Sequence, residues 1–224
     1  MDKHQEIAVV IGGSSGIGLA TAQRLTARGL KVIAASRSGA TPVDATDRKA
    51  LDAFFAGIGR FDHLVLTLSG GEGAGPFASL DLASLERGFA AKFWPQVNAV
   101  QAALPYITPG GSITFVTAIS ASIANPGVSG LGAINGALES MIGTLAREVA
   151  PTRVNAVSPG VIDTPWWNTM PAEAKNSVFQ SQRDTLPAGR VGQPDDVAQI
   201  IDMLAGNGFV TGAIIPCDGG LHLL

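Results

Sequence analysis

A short apolar run, Val9-Val10-Ile11, breaks into Gly12-Gly13-Ser14-Ser15-Gly16-Ile17-Gly18, and a helical pattern follows. This stretch constrains the fold more than any other. It reads as strand, tight turn and helix. Gly12 permits the turn, Gly16 lets the backbone approach a ligand without a Cβ in the way, and Gly18 lets the helix pack close to the strand. The first turn of such a helix carries free N–H groups and the positive end of its dipole, which suits a pyrophosphate. Ser14, Ser15 and Ile17 complete the expected phosphate loop. The spacing is G-x-x-x-G-x-G rather than G-x-G-x-x-G, so the position between a strand and a helix carries the argument.

The chain has 224 residues, enough for one α/β domain with a large core. Charged residues are 15% of it, hydrophobic ones 46%, and the net charge is −3 with no basic run, which argues against nucleic-acid binding. Cys217 is the only cysteine, so an intramolecular disulfide is ruled out and a reducing, cytoplasmic setting is expected. The polar start, Met1 to Glu6, does not read as a leader. No apolar stretch is long enough to span a bilayer, so no membrane partner is expected. No Cys, His and carboxylate cluster has metal-ligand spacing, and no metal is expected. His4, His63 and His222 are scattered and are not read as catalytic.

Ile7 to Ile11 is apolar throughout, as a strand covered on both faces must be. A helix over Gly16 to Ala27 and a strand over Lys31 to Ala35 follow, the strand closing with Ser36-Arg37-Ser38. In a doubly wound sheet this strand end meets the adenosine ribose. An acidic residue there would favour NAD. A hydroxyl and a guanidinium suit a 2′-phosphate instead, and so NADP(H). A stub of strand near Thr41 to Val43, a helix over Arg48 to Ile58 capped by Asp47, and a strand over Asp62 to Thr67 come next, then a flexible loop from Ser69 to Gly75. A long helix from about Leu82 to Ile107 is interrupted by Pro95, which lacks the N–H that the Ala91 carbonyl would accept. Ser112 to Thr117 is a strand, Val128 to Ala150 a helix rich in Gly and Ala, and Arg153 to Val157 a strand ending at Pro159-Gly160. Asp163 to Pro187 has little periodicity and reads as a loop. It carries Trp166, Trp167, Met170 and Phe179 and is expected to cover a substrate pocket. Asp195 to Ala205 is a helix and Gly212 to Pro216 a last strand. The alternation gives one α/β domain over residues 1–224: a Rossmann-like, doubly wound parallel sheet with helices on both faces and a shortened third-strand region.

Several motifs in order make the chain resemble the short-chain dehydrogenase/reductase family from end to end. They are the Gly12/Gly16/Gly18 loop, Asp44-Ala45-Thr46-Asp47, Gln101-Ala102-Ala103-Leu104-Pro105, Gly110-Gly111-Ser112-Ile113, Arg153-Val154-Asn155-Ala156-Val157-Ser158-Pro159-Gly160, Arg190-Val191-Gly192-Gln193-Pro194, and Thr211-Gly212 with Asp218-Gly219-Gly220. The resemblance implies an NAD(P)H-binding sheet of about seven parallel strands. It places Asp44 at the adenine amino group with Ala45 beside it. Pro159, Gly160 and Ile162 would line the nicotinamide, Ile162 through its backbone, and Thr164 would touch the pyrophosphate side. It also implies a homo-oligomer, a dimer or a tetramer built on the two long helices and the last strand.

The departures from that pattern fall on the catalytic set. Family catalysis uses a Tyr-x-x-x-Lys pair, a Ser thirteen residues before the Tyr, and an Asn in the preceding long helix. Here Asn135 stands for the Lys, Leu131 for the Tyr, Ala118 for the Ser and Lys92 for the Asn. The family's Asn-Asn-Ala-Gly after the fourth strand is replaced by Leu66-Thr67-Leu68-Ser69, which leaves Ser69 at that cofactor edge. Two positions have exchanged types, Asn to Lys92 and Lys to Asn135. In the family fold they lie close together beneath the nicotinamide ribose. Lys92 is therefore expected near the ribose or the Asn135 amide, as a cofactor contact and proton donor, with Asn135, Thr117 and Ser120 as further catalytic candidates.

These observations imply an NADP(H)-dependent oxidoreductase moving a hydride to or from a small carbonyl or alcohol with a rearranged site. Two other readings remain open. One is a silent NADPH-holding or sensor protein. The other is a lyase or isomerase using the same pocket.

Overall fold

The computed structural model describes residues 5–224, so His4 lies outside the described residues. Strands β1 (Ile7–Ile11), β2 (Lys31–Ser36), β3 (Thr41–Pro42), β4 (Phe61–Leu66), β5 (Ile107–Val116), β6 (Arg153–Pro159) and β7 (Ile214–Cys217) form one sheet. Its seven strands run in the order β3-β2-β1-β4-β5-β6-β7, and every pairing is parallel. The order reverses between β1 and β4, where such sheets leave a crevice at their carboxyl ends.

Side-chain alternation along the strands builds two cores. Val9, Ile11, Leu64 and Leu66 face one layer, with Leu51 and Phe55 of α2 (Arg48–Ile58), Ala99 of α3 (Leu82–Ala103), and Leu138 and Ile142 of α4 (Ser129–Glu148). Ala8, Val10 and Val65 face the other, with Leu25 of α1 (Gly16–Ala27) and Val197 and Ile201 of α6 (Pro194–Gly206). Both faces of the sheet are thus covered, which is why β1 is apolar throughout and the polar residues of β4 and β5, such as His63 and Ser112, are buried and bonded to each other. Asp47 caps α2 as expected, its carboxylate accepting from Lys49 N and Ala50 N. No helix among the described residues is long and apolar enough to cross a membrane.

Two expectations are corrected. α3 is not interrupted at Pro95 but runs through it and ends at Ala103, so Ile107 opens β5 instead of closing a helix. The proline removes one backbone donor, while the buried face of Lys92, Pro95, Gln96, Ala99 and Val100 holds the helix on the sheet. Asp163 to Pro187 is not a bare loop. It contains a 3-10 turn over Pro165–Thr169 and a helix, α5 (Ala172–Thr185). Phe179 is the one buried residue of α5, so no apolar stripe marked it in the sequence.

The Arg153-Val154-Asn155 motif closes the sheet's far side. Arg153 is buried, and its guanidinium donates to the carbonyls of Leu204 at 2.6 Å, Ala205 at 3.0 Å and Val210 at 3.3 Å, at and beyond the C-terminus of α6. A cation at this end of a helix meets the negative end of the dipole and satisfies carbonyls with no intrahelical donor. Asn155 clamps the same connection, donating to Val210 O and accepting from Ala213 N. Arg153→Met is expected to leave those carbonyls buried and unpaired and to lower stability by about 3 kcal/mol, read by urea unfolding; an unchanged midpoint would show that the carbonyls find other donors.

Candidate active site

The glycine loop leaves the carboxyl end of β1. Gly12 has φ +91°, and its amide and that of Gly13 both donate to Ala35 O, at 2.8 and 3.1 Å. A Cβ on Gly18 would collide with the Gly12 carbonyl and the Thr67 hydroxyl, so only glycine lets α1 start this close to the strand. Ser15 is the N-cap of α1, yet its side chain caps no amide, and the first turn holds no acidic residue. The N-terminus of α1 therefore keeps its donors and its positive dipole end for an anion. Thr164 lies 3.3 Å from where a Gly16 Cβ would be, so the segment after β6 reaches back over the loop. Ile17 is half-buried behind the loop, and Ser14 is exposed beside it.

At the end of β2, Ser36 Oγ is buried with no hydrogen-bond partner among the described residues. A Cβ built on Gly39 would have Ser36 Oγ at 2.7 Å and Ser14 Cβ at 3.9 Å, so the two serines flank one small space. Arg37 and Ser38 are exposed beside it. An orphaned hydroxyl, a second serine and a guanidinium fit the donor set a phosphate monoester needs. Asp44 accepts from Thr46 N at 2.9 Å and Thr46 Oγ1 at 2.8 Å, and these bonds hold its carboxyl below the usual range, aided by the Arg37 charge. Ala45 is buried next to it. Ser69 lies exposed in the connection after β4.

Past β6, Gly160 packs against the Asp218 backbone, where a Cβ would lie 2.8 Å from the Asp218 Cα. Pro159 is buried, and Ile162 is buried with its carbonyl accepting from Trp167 Nε1 at 2.8 Å. Of the Ile162 backbone expected at the nicotinamide, the carbonyl is thus held by an indole. Trp167 packs edge-on against Trp166 and Phe179, at 4.9 and 5.3 Å between ring centres, and Lys175 bonds Asp163 at 2.9 Å. These contacts tie α5 to the segment after β6. Cys217 is half-buried, and burial pushes its thiol up to about 11, so it carries no reactive thiolate.

The polar centre lies at the carboxyl ends of β5 and β6. Lys92 is buried and donates from Nζ to Thr117 O at 2.9 Å. Burial lowers its pKa to about 8, against the opposing charge of Glu139. Thr117 Oγ1 donates to Glu139 Oε1 at 2.7 Å, and Ser158 Oγ donates to the same oxygen at 2.8 Å. Asn135 Nδ2 donates to Ser120 Oγ at 3.1 Å and to Leu131 O at 2.9 Å, while Asn135 Oδ1 is buried without a partner among the described residues. Lys92 and Asn135 therefore do not bond to each other, contrary to one of the two placements expected for the Lys92 ammonium. Lys92 takes a backbone carbonyl, and Asn135 takes Ser120. Thr117 is 3% exposed with its hydroxyl directed to Glu139, so it is turned inward.

Glu139 is the residue that sequence reasoning missed. It lies four positions after Asn135 in α4, the spacing that puts two side chains on one helix face. That spacing was the available signal. Ser120 also lines an open groove of about 960 Å³ whose other walls include Phe77, Ile123, Pro126 and Val128, and no lining residue is charged.

The comparisons with known proteins agree with this geometry. The family profile described as enoyl-(acyl carrier protein) reductase matches residues 11–222. The chain is 31% identical to the granaticin polyketide synthase putative ketoacyl reductase 2 of Streptomyces violaceoruber, over 97% of this chain and 96% of the relative. The chain belongs to the short-chain dehydrogenase/reductase family. Another member, the 3-oxoacyl-acyl-carrier-protein reductase MabA of Mycobacterium tuberculosis, is 31% identical over 96% of this chain and 92% of its own length. Among solved structures, a small-chain dehydrogenase in complex with NADPH superposes with a TM-score of 0.94 at 34% identity, covering 98% of this chain and all 100% of that one. The aldohexose dehydrogenase of Thermoplasma acidophilum matches with a TM-score of 0.89 at 26% identity. Within this short-chain dehydrogenase/reductase, Leu131 and Ala118 hold the positions that the resemblance gives to Tyr and Ser, and neither carries a hydroxyl.

The Lys92 environment makes stability depend on pH. Its folded value of about 8 lies below the ordinary 10.5, so the burial penalty acts in full below about pH 8. Between the two values the unfolded chain binds more protons than the folded one, and stability rises with pH. Unfolding of the free protein and of Lys92→Met, measured from about pH 7 to 10.5, is expected to show the difference between them change in favour of the wild type by roughly 3 kcal/mol. A pH-independent difference would place Lys92 in a solvated site.

Proposed function

We propose that the protein is an NADP(H)-dependent oxidoreductase that interconverts a small, uncharged carbonyl and its alcohol, with Lys92 in the place of the usual proton-handling residues. The observation that carries this reading is a buried ammonium bonded to the Thr117 carbonyl just past the end of β5, on the same sheet edge as the crossover point and the glycine loop. When bound, NADP(H) supplies or accepts the hydride. Gly12, Ser14, Ser15, Gly16, Ile17 and Gly18 hold the pyrophosphate at the start of α1, with Thr164 over them. Ser36, Arg37 and Ser38 take the 2′-phosphate, while Asp44 and Ala45 border the adenine and Ser69, Pro159, Gly160 and Ile162 the nicotinamide side.

Lys92 holds a proton at Nζ, and its lowered pKa brings that proton into the range where general acid catalysis works near neutrality. Asn135 holds Ser120 by its amide, and Ser120 is one of the residues lining the groove. The groove's uncharged lining favours an uncharged substrate. The segment 163–187, which brings Thr164 over Gly16 and Trp166 to Gly71, is the candidate cover for the substrate side. Exposed Trp94 on α3 and Phe209, 99% exposed before β7, supply apolar surface for a dimer or tetramer in the cytoplasm.

A second reading has its own support. Leu131 and Ala118 offer no hydroxyl near the groove, as a silent NADPH-binding sensor would allow. NADPH oxidation across a panel of neutral ketones and aldehydes separates the two. Turnover that Lys92→Met abolishes, with cofactor affinity nearly kept, is expected. Binding without turnover on the whole panel would favour the sensor.

Cofactor choice is tested separately. Arg37→Ala should weaken NADPH by on the order of tenfold to a hundredfold, the loss of a charge-assisted contact, and leave NADH nearly unchanged. Equal losses for both cofactors in calorimetric titration would refute the 2′-phosphate role.

A further inference from the structure

We propose that Glu139 is a positioning residue for Lys92: its carboxylate, clamped by Thr117 and Ser158, keeps the Lys92 side chain charged and aligned through the Thr117 peptide. This rests on the catalytic reading of Lys92 given above and adds the group that controls it.

The geometry is a chain of hydrogen bonds from Lys92 through Thr117 to Glu139. Lys92 Nζ donates to the Thr117 carbonyl, and the hydroxyl of the same Thr117 donates to Glu139 Oε1. Thr117 is fixed in turn by its amide, which donates to Val157 O at 2.9 Å. Ser158, from the next strand, gives Glu139 Oε1 its second hydroxyl donor. The carboxylate thus comes from α4, the ammonium from α3, and the clamps from β5 and β6. A carboxylate accepting two hydroxyl protons is fixed in place. An ammonium removed from water needs such a counter-charge, or it gives up its proton.

The other elements around Lys92 bring no competing charge. Gly70, in the connection after β4, packs against its stem, and Gln96 on the same helix is neutral and reaches Leu68 O. Asn135 is uncharged and directed to Ser120. Among the described residues Glu139 is the ionisable group whose charge acts on Lys92. The sequence logic is consistent with this. A lysine introduced where the family has a neutral asparagine requires a nearby anion, and Glu139 is placed to be that anion.

The test follows the protonation of Lys92 itself. Lysine side chains are labelled at Cε, the Lys92 signal is assigned by its loss in Lys92→Met, and the free protein is titrated by NMR. Glu139→Gln keeps the shape and the acceptor for both hydroxyls but removes the charge. Its Lys92 midpoint is expected to fall by on the order of one pH unit, and Glu139→Asp should restore most of it. Glu139→Ala, which also lacks the charge, should shift the midpoint in the same direction and serves if the glutamine variant does not fold. In turnover, the alkaline limb of kcat should move down with the midpoint while KM changes little. An unchanged midpoint in both neutral variants overturns the proposal, whatever they do to stability. A midpoint shifted in the neutral variants, with a wild type that turns over no substrate, supports the charge pairing and overturns the catalytic reading instead.

Discussion

A buried ammonium must find an acceptor and a counter-charge, and the arrangement around Lys92 is organised by that need. Nζ takes the Thr117 carbonyl, which is available because β5 has just ended and its ladder no longer uses that oxygen on this side. The counter-charge comes from Glu139, which two hydroxyls from neighbouring strands hold in place. Remove any one of these groups and the others are left buried and unmatched, which costs more than the interaction gains. The cluster therefore ties α3, α4, β5 and β6 into one arrangement just where the sheet ends.

The rest of the fold supplies the stage for that cluster. Parallel strands deliver all their carboxyl ends to one edge, and the crossover between β1 and β4 opens the crevice there. The glycine loop, the Ser36-Arg37 corner and the Lys92 cluster all stand on this edge, contributed by four different strand ends. On the far side, Arg153 and Asn155 fasten the α6–β7 connection, which keeps β6, and with it Ser158, in register.

What the sequence revealed depended on how local the signal was. The glycine loop, the Asp47 cap and the apolar central strands were readable because each is set by a few adjacent residues. The helix α5 was not, because Phe179 alone anchors it and its other contacts, the Trp166–Trp167 pair and the Lys175–Asp163 bond, carry no helical period. Pro95 misled in the other direction: a residue that breaks isolated helices is tolerated on a face packed along its whole length. The site was half readable. Matching positions brought Lys92 and Asn135 under suspicion, and both are buried. Thr117 and Ser120 were candidates as well, but the bonding was not foreseen, because Lys92 takes a backbone atom of Thr117 and Glu139 meets Thr117 and Ser158 only once two strands are laid side by side.

The proposed function stands on Lys92 doing the work that the family resemblance gives to residues at positions 118, 131 and 135. The most direct test is a crystal structure of the protein with NADP⁺ bound. The Lys92 ammonium is expected within hydrogen-bond reach of a nicotinamide-ribose hydroxyl, still linked to Thr117 O, with Glu139 behind it. A cofactor seated on the glycine loop with Lys92 directed away from the ribose, and another side chain in its place, would contradict it.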